Sequence, residues 1–244
     1  MKHRRHGFTL IELSIVLVII GLIVGGIVAG KDLVEMARTR KAMGELEAYT
    51  TATNAFKLKY NCLPGDCATA TSFGFDSNGN GDGQVYEFTQ YWRQLGQAGF
   101  ISKVYSGTAT PGSYNYGGGA ATYMIGTDIP RSAIKDFIGV FVRYARNEPG
   151  DYQQWSMKAN IYALSQGNMY ENEGGIRSRT DIYPIDVKYD DGMGGTGRIQ
   201  GMSNWLGNNG ICTITTSPET ATWASDWPWS THTFLCSMYV EAGF

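Results

Sequence analysis

One stretch in mid-chain gathers oxygen ligands at regular spacing. Residues 76–87 read DSNGNGDGQVYE and meet the pattern D-x-[DN]-x-[DN]-G-x5-E. Asp76, Asn78, Asn80, Asp82 and Gln84 put side-chain oxygens at alternate positions, Gly81 permits a sharp turn, and Glu87 can give two oxygens at once. Hard oxygen donors in that order suit Ca²⁺, so the stretch is expected to form a structural calcium loop. Gly83 stands where an aliphatic residue is usual. A second register, starting at Asn78, puts Val85 there but loses the terminal glutamate. The competing reading is an Asn/Gly/Asp turn with no ion. A further acidic group, Asp186, Asp190 and Asp191, reads more readily as a solvated turn than as an ion site.

Other chemistry is sparse. Of three histidines, His3 and His6 lie before residue 7, leaving His232 for any catalytic role. Its setting, Ser230 to Thr233, holds no nucleophile motif, and three-histidine zinc ligation is excluded. No P-loop and no dinucleotide fingerprint occurs. No enzyme activity is expected. Hydrophobic residues make up 43% and charged residues 17%, a globular composition, and the net charge of −2 disfavours general nucleic-acid binding. Three of the 20 basic residues, Lys2, Arg4 and Arg5, precede Gly7, so the remainder is more acidic still.

The four cysteines, Cys62, Cys67, Cys212 and Cys236, all lie beyond an N-terminal apolar segment. An even count in an exported chain predicts disulfides. Three connectivities exist. Cys62–Cys67 with Cys212–Cys236 is favoured because each closes a short loop, and buried free thiols are the alternative. The Cys62–Cys67 spacing is not C-x-x-C, which argues against a thiol redox role.

These residues need elements to hold them. The chain opens with a basic heptapeptide, MKHRRHG, and then runs apolar from Phe8 to Gly30, long enough to span a bilayer as a helix. Lys2, Arg4 and Arg5 keep the leader cytoplasmic, and the rest faces outward. Glu12 is the exception within the span. A carboxylate in hydrocarbon costs several kcal/mol unless paired. A cut between Gly7 and Phe8 would create an α-amino group close enough to pair with it, and a neighbouring subunit could supply the same charge. Past Gly30, Leu33, Met36, Met43, Leu46, Tyr49, Thr53, Phe56 and Tyr60 recur at helical steps, and no proline intervenes before Pro64. One helix from about Thr9 to Tyr60 is expected, bare in its first half and packed along one stripe in its second.

Residues 61–244 read as an α+β body with a mainly antiparallel sheet. Glu87 to Gln97 suggests a short helix. Strand candidates are 123–125, 137–144, 160–164 and 233–240, with glycine-rich loops at 117–119 and 192–197. Residues 1–7, 8–30, 31–60 and 61–244 are then leader, membrane-spanning half-helix, amphipathic half-helix and extracytoplasmic body. Six tryptophans and fifteen tyrosines serve either as contact surface or as core.

The segment from Gly7 to Leu13, GFTLIEL, with its basic leader and apolar run, resembles the processing site of type IV prepilins and type II secretion pseudopilins. The resemblance is strong over residues 1 to about 60. It implies that prepilin peptidase cuts after Gly7, that Phe8 becomes the methylated first residue, and that Glu12 is the assembly glutamate. It implies an inner-membrane precursor in a bacterium, surrounded by lipid, which assembles with copies of itself through a pilus or type II secretion machinery. The product is an extracellular or periplasmic filament. The helix-kinking proline of many pilins is absent, since residue 29 is Ala, and Gly25, Gly26 and Gly30 are the flexible points. Pseudopilins of this kind often stiffen a loop with calcium. Pilin-like chains also resemble this one in a Leu-Pro-Gly-Asp turn after the helix, here Leu63 to Asp66. A pilus subunit, a secretion pseudopilin and a surface enzyme or receptor on a pilin-like anchor are the competing functions.

Overall fold

Helix α1 runs from Leu10 to Tyr60 without interruption, 51 residues, about 77 Å at 1.5 Å per residue. The computed structural model describes residues 9–76, 79–86, 88–107, 124–145, 157–165, 176, 181–202 and 237–244. Thr9 starts the helix with a capping box. Its hydroxyl accepts from the Glu12 amide, and the Glu12 carboxylate accepts from the Thr9 amide at 2.8 Å. Asn61 ends it in the left-handed conformation (φ 56°), its N–H donating to the Lys57 carbonyl.

Apolar side chains cover the first part of α1 and nothing covers them: Leu10 to Val28 are exposed. Burial begins only at Ala42 and continues through Met43, Leu46, Ala52, Thr53 and Phe56. The expected packed stripe is therefore shorter than its periodicity. Leu33 and Met36, 64% and 48% exposed, prolong the bare surface because the body does not reach them.

The sheet has four strands, all antiparallel, in the order β1-β2-β4-β3: β1 (Gly139–Tyr144), β2 (Asn160–Ser165), β3 (Ile199–Met202) and β4 (Ser237–Glu241). Every residue of β2 is buried. Its unbroken apolar run is what a strand covered on both faces requires, in place of the alternation of a half-exposed one. Helix α1 docks through Tyr49 and Thr50. The Thr50 hydroxyl donates to the Ala242 carbonyl at 2.9 Å and lies 3.3 Å from the Tyr162 hydroxyl. Helix α2 (Phe88–Gln97) adds Tyr91, Trp92 and Leu95, all fully buried. Trp92 meets Tyr49 edge-on at 4.8 Å, and the Tyr91 and Thr53 hydroxyls share a hydrogen bond. A short helix, α3 (Tyr183–Tyr189), carries Pro184 in its first turn.

The α+β architecture and the long helix match expectation. The strand expected at 123–125 does not form in its described part: Met124 and Ile125 enter a turn closed by a bridge from Ile125 to Ile129. The expected strand at 233–240 is seen from Ser237 onward. Trp92 belongs to the core, and the other tryptophans lie outside the described residues.

Candidate functional site

The N-terminal site is described from Thr9. Gly7 and Phe8 lie outside the described residues. Glu12 stands in the first turn of α1, and its carboxylate accepts from both the amide and the hydroxyl of Thr9, the latter at 2.9 Å. Its negative charge lies at the positive end of the helix dipole. The carboxylate is thus turned back onto the helix N-terminus at Thr9. Among the described residues, α1 is the one helix long and apolar enough to cross a membrane.

The second candidate is the loop after the Leu63–Asp66 turn. The Cys62–Cys67 disulfide is formed as expected and closes that turn. Cys212 and Cys236 lie outside the described residues. The Gly65 amide donates to Gln94 Oε1 of α2 at 2.7 Å, and the Gly79 amide donates to the Cys67 carbonyl at 2.9 Å. Asn160 at the start of β2 then clasps the far side of the loop. Its Nδ2 donates to the Gly83 carbonyl at 2.9 Å, and its Oδ1 accepts from the Val85 amide at 3.0 Å. The Tyr144 amide donates to the Val85 carbonyl at 2.8 Å, so the loop is sewn to the end of β1 as well.

Of the expected ligands, Asn78 and Glu87 lie outside the described residues. Asn80, Asp82 and Gln84 form a hydrogen-bonded run: Asn80 Nδ2 donates to Asp82 Oδ2, and the Gln84 amide donates to Asp82 Oδ1, each at 2.8 Å. The Gln84 side-chain oxygen accepts from the Tyr86 hydroxyl. Asp76 turns away. Its carboxylate is held by Arg93 Nε and, at 2.9 Å, by Gln97 Nε2, both on α2. Those hydrogen bonds hold its pKa below the usual carboxylate value. The oxygen-only chemistry of Asn80, Asp82 and Gln84 fits a hard divalent cation. Asp76 does not fit one while the Arg93 guanidinium occupies it.

Asp66 was not among the expected ligands, yet its carboxylate binds the loop backbone. It is 2% exposed, and its two oxygens accept from the Gly81 and Gly83 amides at 2.8 and 2.7 Å. Burial raises its pKa, the Gly83 and Gly81 amides lower it, and neighbouring Asp82 raises it, with a net upward direction. Past the glycines the loop runs into the core, where Val85 is fully buried. Gly83 has φ +83°, a backbone an aliphatic residue would resist.

Asp186, Asp190 and Asp191 bring carboxylate oxygens within 4.8 Å of one another. The expected solvated turn is only half right, because Asp186 is fully buried in α3. Asp190 accepts from the Ile199 amide, and Asp191 accepts from the Met193 amide and the Thr196 hydroxyl, each at 2.7 Å. The first bond ties the loop to β3, and the other two brace the loop on itself. His232 lies outside the described residues.

No curated protein and no solved structure matches the chain. A family model described as the prokaryotic N-terminal methylation motif matches residues 2–28. Its helical part, Leu10 to Val28, falls wholly within the stretch of α1 that the body leaves bare, and through it the chain carries the signature of type IV pilins and pseudopilins.

Proposed function

We propose that this chain is a structural subunit of a type IV pilus-like filament, cut by prepilin peptidase between Gly7 and Phe8 and held in the inner membrane by α1 until it polymerises. The observation that carries the reading is the uncovered apolar surface of α1, continuous from Leu10 to Met36 apart from scattered polar residues, directly behind the methylation motif. Such a surface requires lipid first and neighbouring helices afterwards. Glu12 pairs with the α-amino group of Phe8 on an adjacent subunit and so sets the axial register. The body carries no enzymatic role in this reading. Its 76–87 loop takes a structural Ca²⁺ through Asn80, Asp82 and Gln84, with Asn78 and Glu87 completing the ligand pattern.

Mass spectrometry of filaments sheared from native cells tests the proposal. A dominant chain beginning at methylated Phe8 is the expected result and makes this the major subunit of a surface pilus. A chain processed at Phe8 but confined to membrane and periplasm points instead to a type II secretion pseudopilin or a minor pilin. An uncut Gly7–Phe8 bond overturns the proposal and returns the chain to the class of anchored surface enzymes or receptors.

A further inference from the structure

An acid outside the ligand pattern holds the backbone of the loop. In loops of this type a leading carboxylate gathers the backbone at the tight turn. Here Gly81 and Gly83 both point their amides inward at Asp66. They do so with φ of +77° and +83°, which only glycine adopts at little cost. The two backbones are in close approach: a Cβ on Gly79 would lie 2.4 Å from the Asp66 Cα. Asp66 is itself fixed, by the disulfide between Cys62 and Cys67, by the Gly65 amide on Gln94, and by the Gly79 amide on the Cys67 carbonyl. Asp76, the acid the pattern nominates, is engaged with Arg93 and Gln97 on the outer side.

We infer that Asp66 is the positioning carboxylate of the 79–85 loop, and that it keeps this loop folded with no cation bound. Two charge-assisted hydrogen bonds from inward-facing amides supply the organising attraction that an ion supplies in loops lacking such an internal anion. A cation at Asn80, Asp82 and Gln84 therefore adds to a loop already formed. The inference stands apart from the calcium proposal, since it concerns the loop without the ion.

The test is hydrogen–deuterium exchange on the full chain in detergent micelles, with a calcium chelator and with added Ca²⁺. In chelator, the wild-type loop is expected to stay protected. Asp66→Asn is expected to speed exchange across 79–86 by about tenfold while leaving β2 and β4 unchanged. Asp76→Asn is expected to leave the loop as it was. Loss of protection on chelation alone, or loosening by Asp76→Asn and not by Asp66→Asn, overturns the inference. If Asp66→Asn does not fold, the wild-type and Asp76→Asn measurements in chelator still decide it: protection in both supports the inference, and loss in either overturns it. Calorimetric titration with Ca²⁺ on the same samples addresses the calcium proposal separately, and absence of binding there leaves the exchange result intact.

Discussion

Asn160 treats Val85 as a neighbouring strand would: its side-chain oxygen takes the Val85 amide at 3.0 Å, while its Nδ2 reaches the Gly83 carbonyl at 2.9 Å. A side chain at the first residue of β2 thus completes the hydrogen bonding of an irregular loop that has no ladder of its own. Asn160 is 5% exposed, so water cannot readily take its place. Asn160→Ala is expected to leave the Val85 amide unmet in a buried setting and to destabilise the body by about 2–4 kcal/mol. Chemical denaturation read by tryptophan fluorescence measures it. An unchanged midpoint would show that the clasp contributes nothing.

Two glycines should respond to alanine in opposite directions. At Gly79 a Cβ would lie 2.4 Å and 2.5 Å from the Cα and carbonyl carbon of Asp66. These are backbone atoms that cannot rotate away, and Gly79→Ala is expected to cost roughly 1–3 kcal/mol. Gly44 sits exposed in the middle of α1 with nothing within 4 Å of an added Cβ. Gly44→Ala is expected to stabilise by about 0.5–1 kcal/mol. Thermal midpoints of the pair against wild type report both signs in one experiment.

Alkaline pH should weaken the packing of α1 on the sheet. Burial lifts the Tyr162 pKa to about 12, with hydrogen bonds involving Thr50, Tyr91 and Thr53 opposing the rise. An unfolded tyrosine titrates near about 10. The fold therefore holds the phenol proton more tightly than the unfolded chain does. This contribution is complete below pH ~10, is lost as pH rises towards ~12, and amounts to roughly 3 kcal/mol. Tyr91, fully buried beside it, shifts in the same direction, again chiefly through burial. Denaturation midpoints at pH 8, 10 and 11.5 should fall in that order, and less steeply in Tyr162→Phe. An identical fall in the variant would assign the alkaline loss elsewhere.

Glu12→Ala separates anchoring from assembly. Removing a carboxylate from an apolar segment leaves membrane insertion intact or improves it, while the partner for a neighbouring α-amino group disappears. The expected phenotype is processed subunit in the membrane fraction with filaments reduced at least about tenfold, the scale of a lost charge pair. Filament yield by shearing and immunoblot, against membrane-fraction abundance, reads the two effects apart. Wild-type filament numbers would remove Glu12 from the assembly mechanism.

Much of this was legible in advance, and what was not has identifiable causes. The bounds of α1 follow from the apolar run and helical spacing up to Pro64, while the Thr9–Glu12 cap and the Asn61 stop emerge only in the structure. Helix α2 and the apolar runs of β1 and β2 announce themselves through burial. The turn at Met124–Ile129 escaped because an apolar triplet is compatible with strand and turn alike, and Gly126 (φ +90°) decides it. Strand β3 is four residues long with a glycine inside it, too short to declare a period. Asp66 was passed over because its partners are backbone amides 15 and 17 residues away, and amides leave no mark in a sequence. The available hint was its place in a Pro-Gly turn flanked by two cysteines. The ligand pattern nominated Asp76 by spacing alone, blind to Arg93 arriving from α2.

The strand order β1-β2-β4-β3 puts β4 inside the sheet, between β2 and β3, although it is the last of the strands along the chain. Ala242, just beyond it, receives the Thr50 hydroxyl from α1. The sheet therefore cannot close until residues 237–241 are in place, and pairing them with β2 spans more than seventy residues of intervening chain. A chain cut short before residue 237 keeps α1 but offers a sheet with its middle missing. Its exposed strand edges are open to proteolysis and to pairing with other chains.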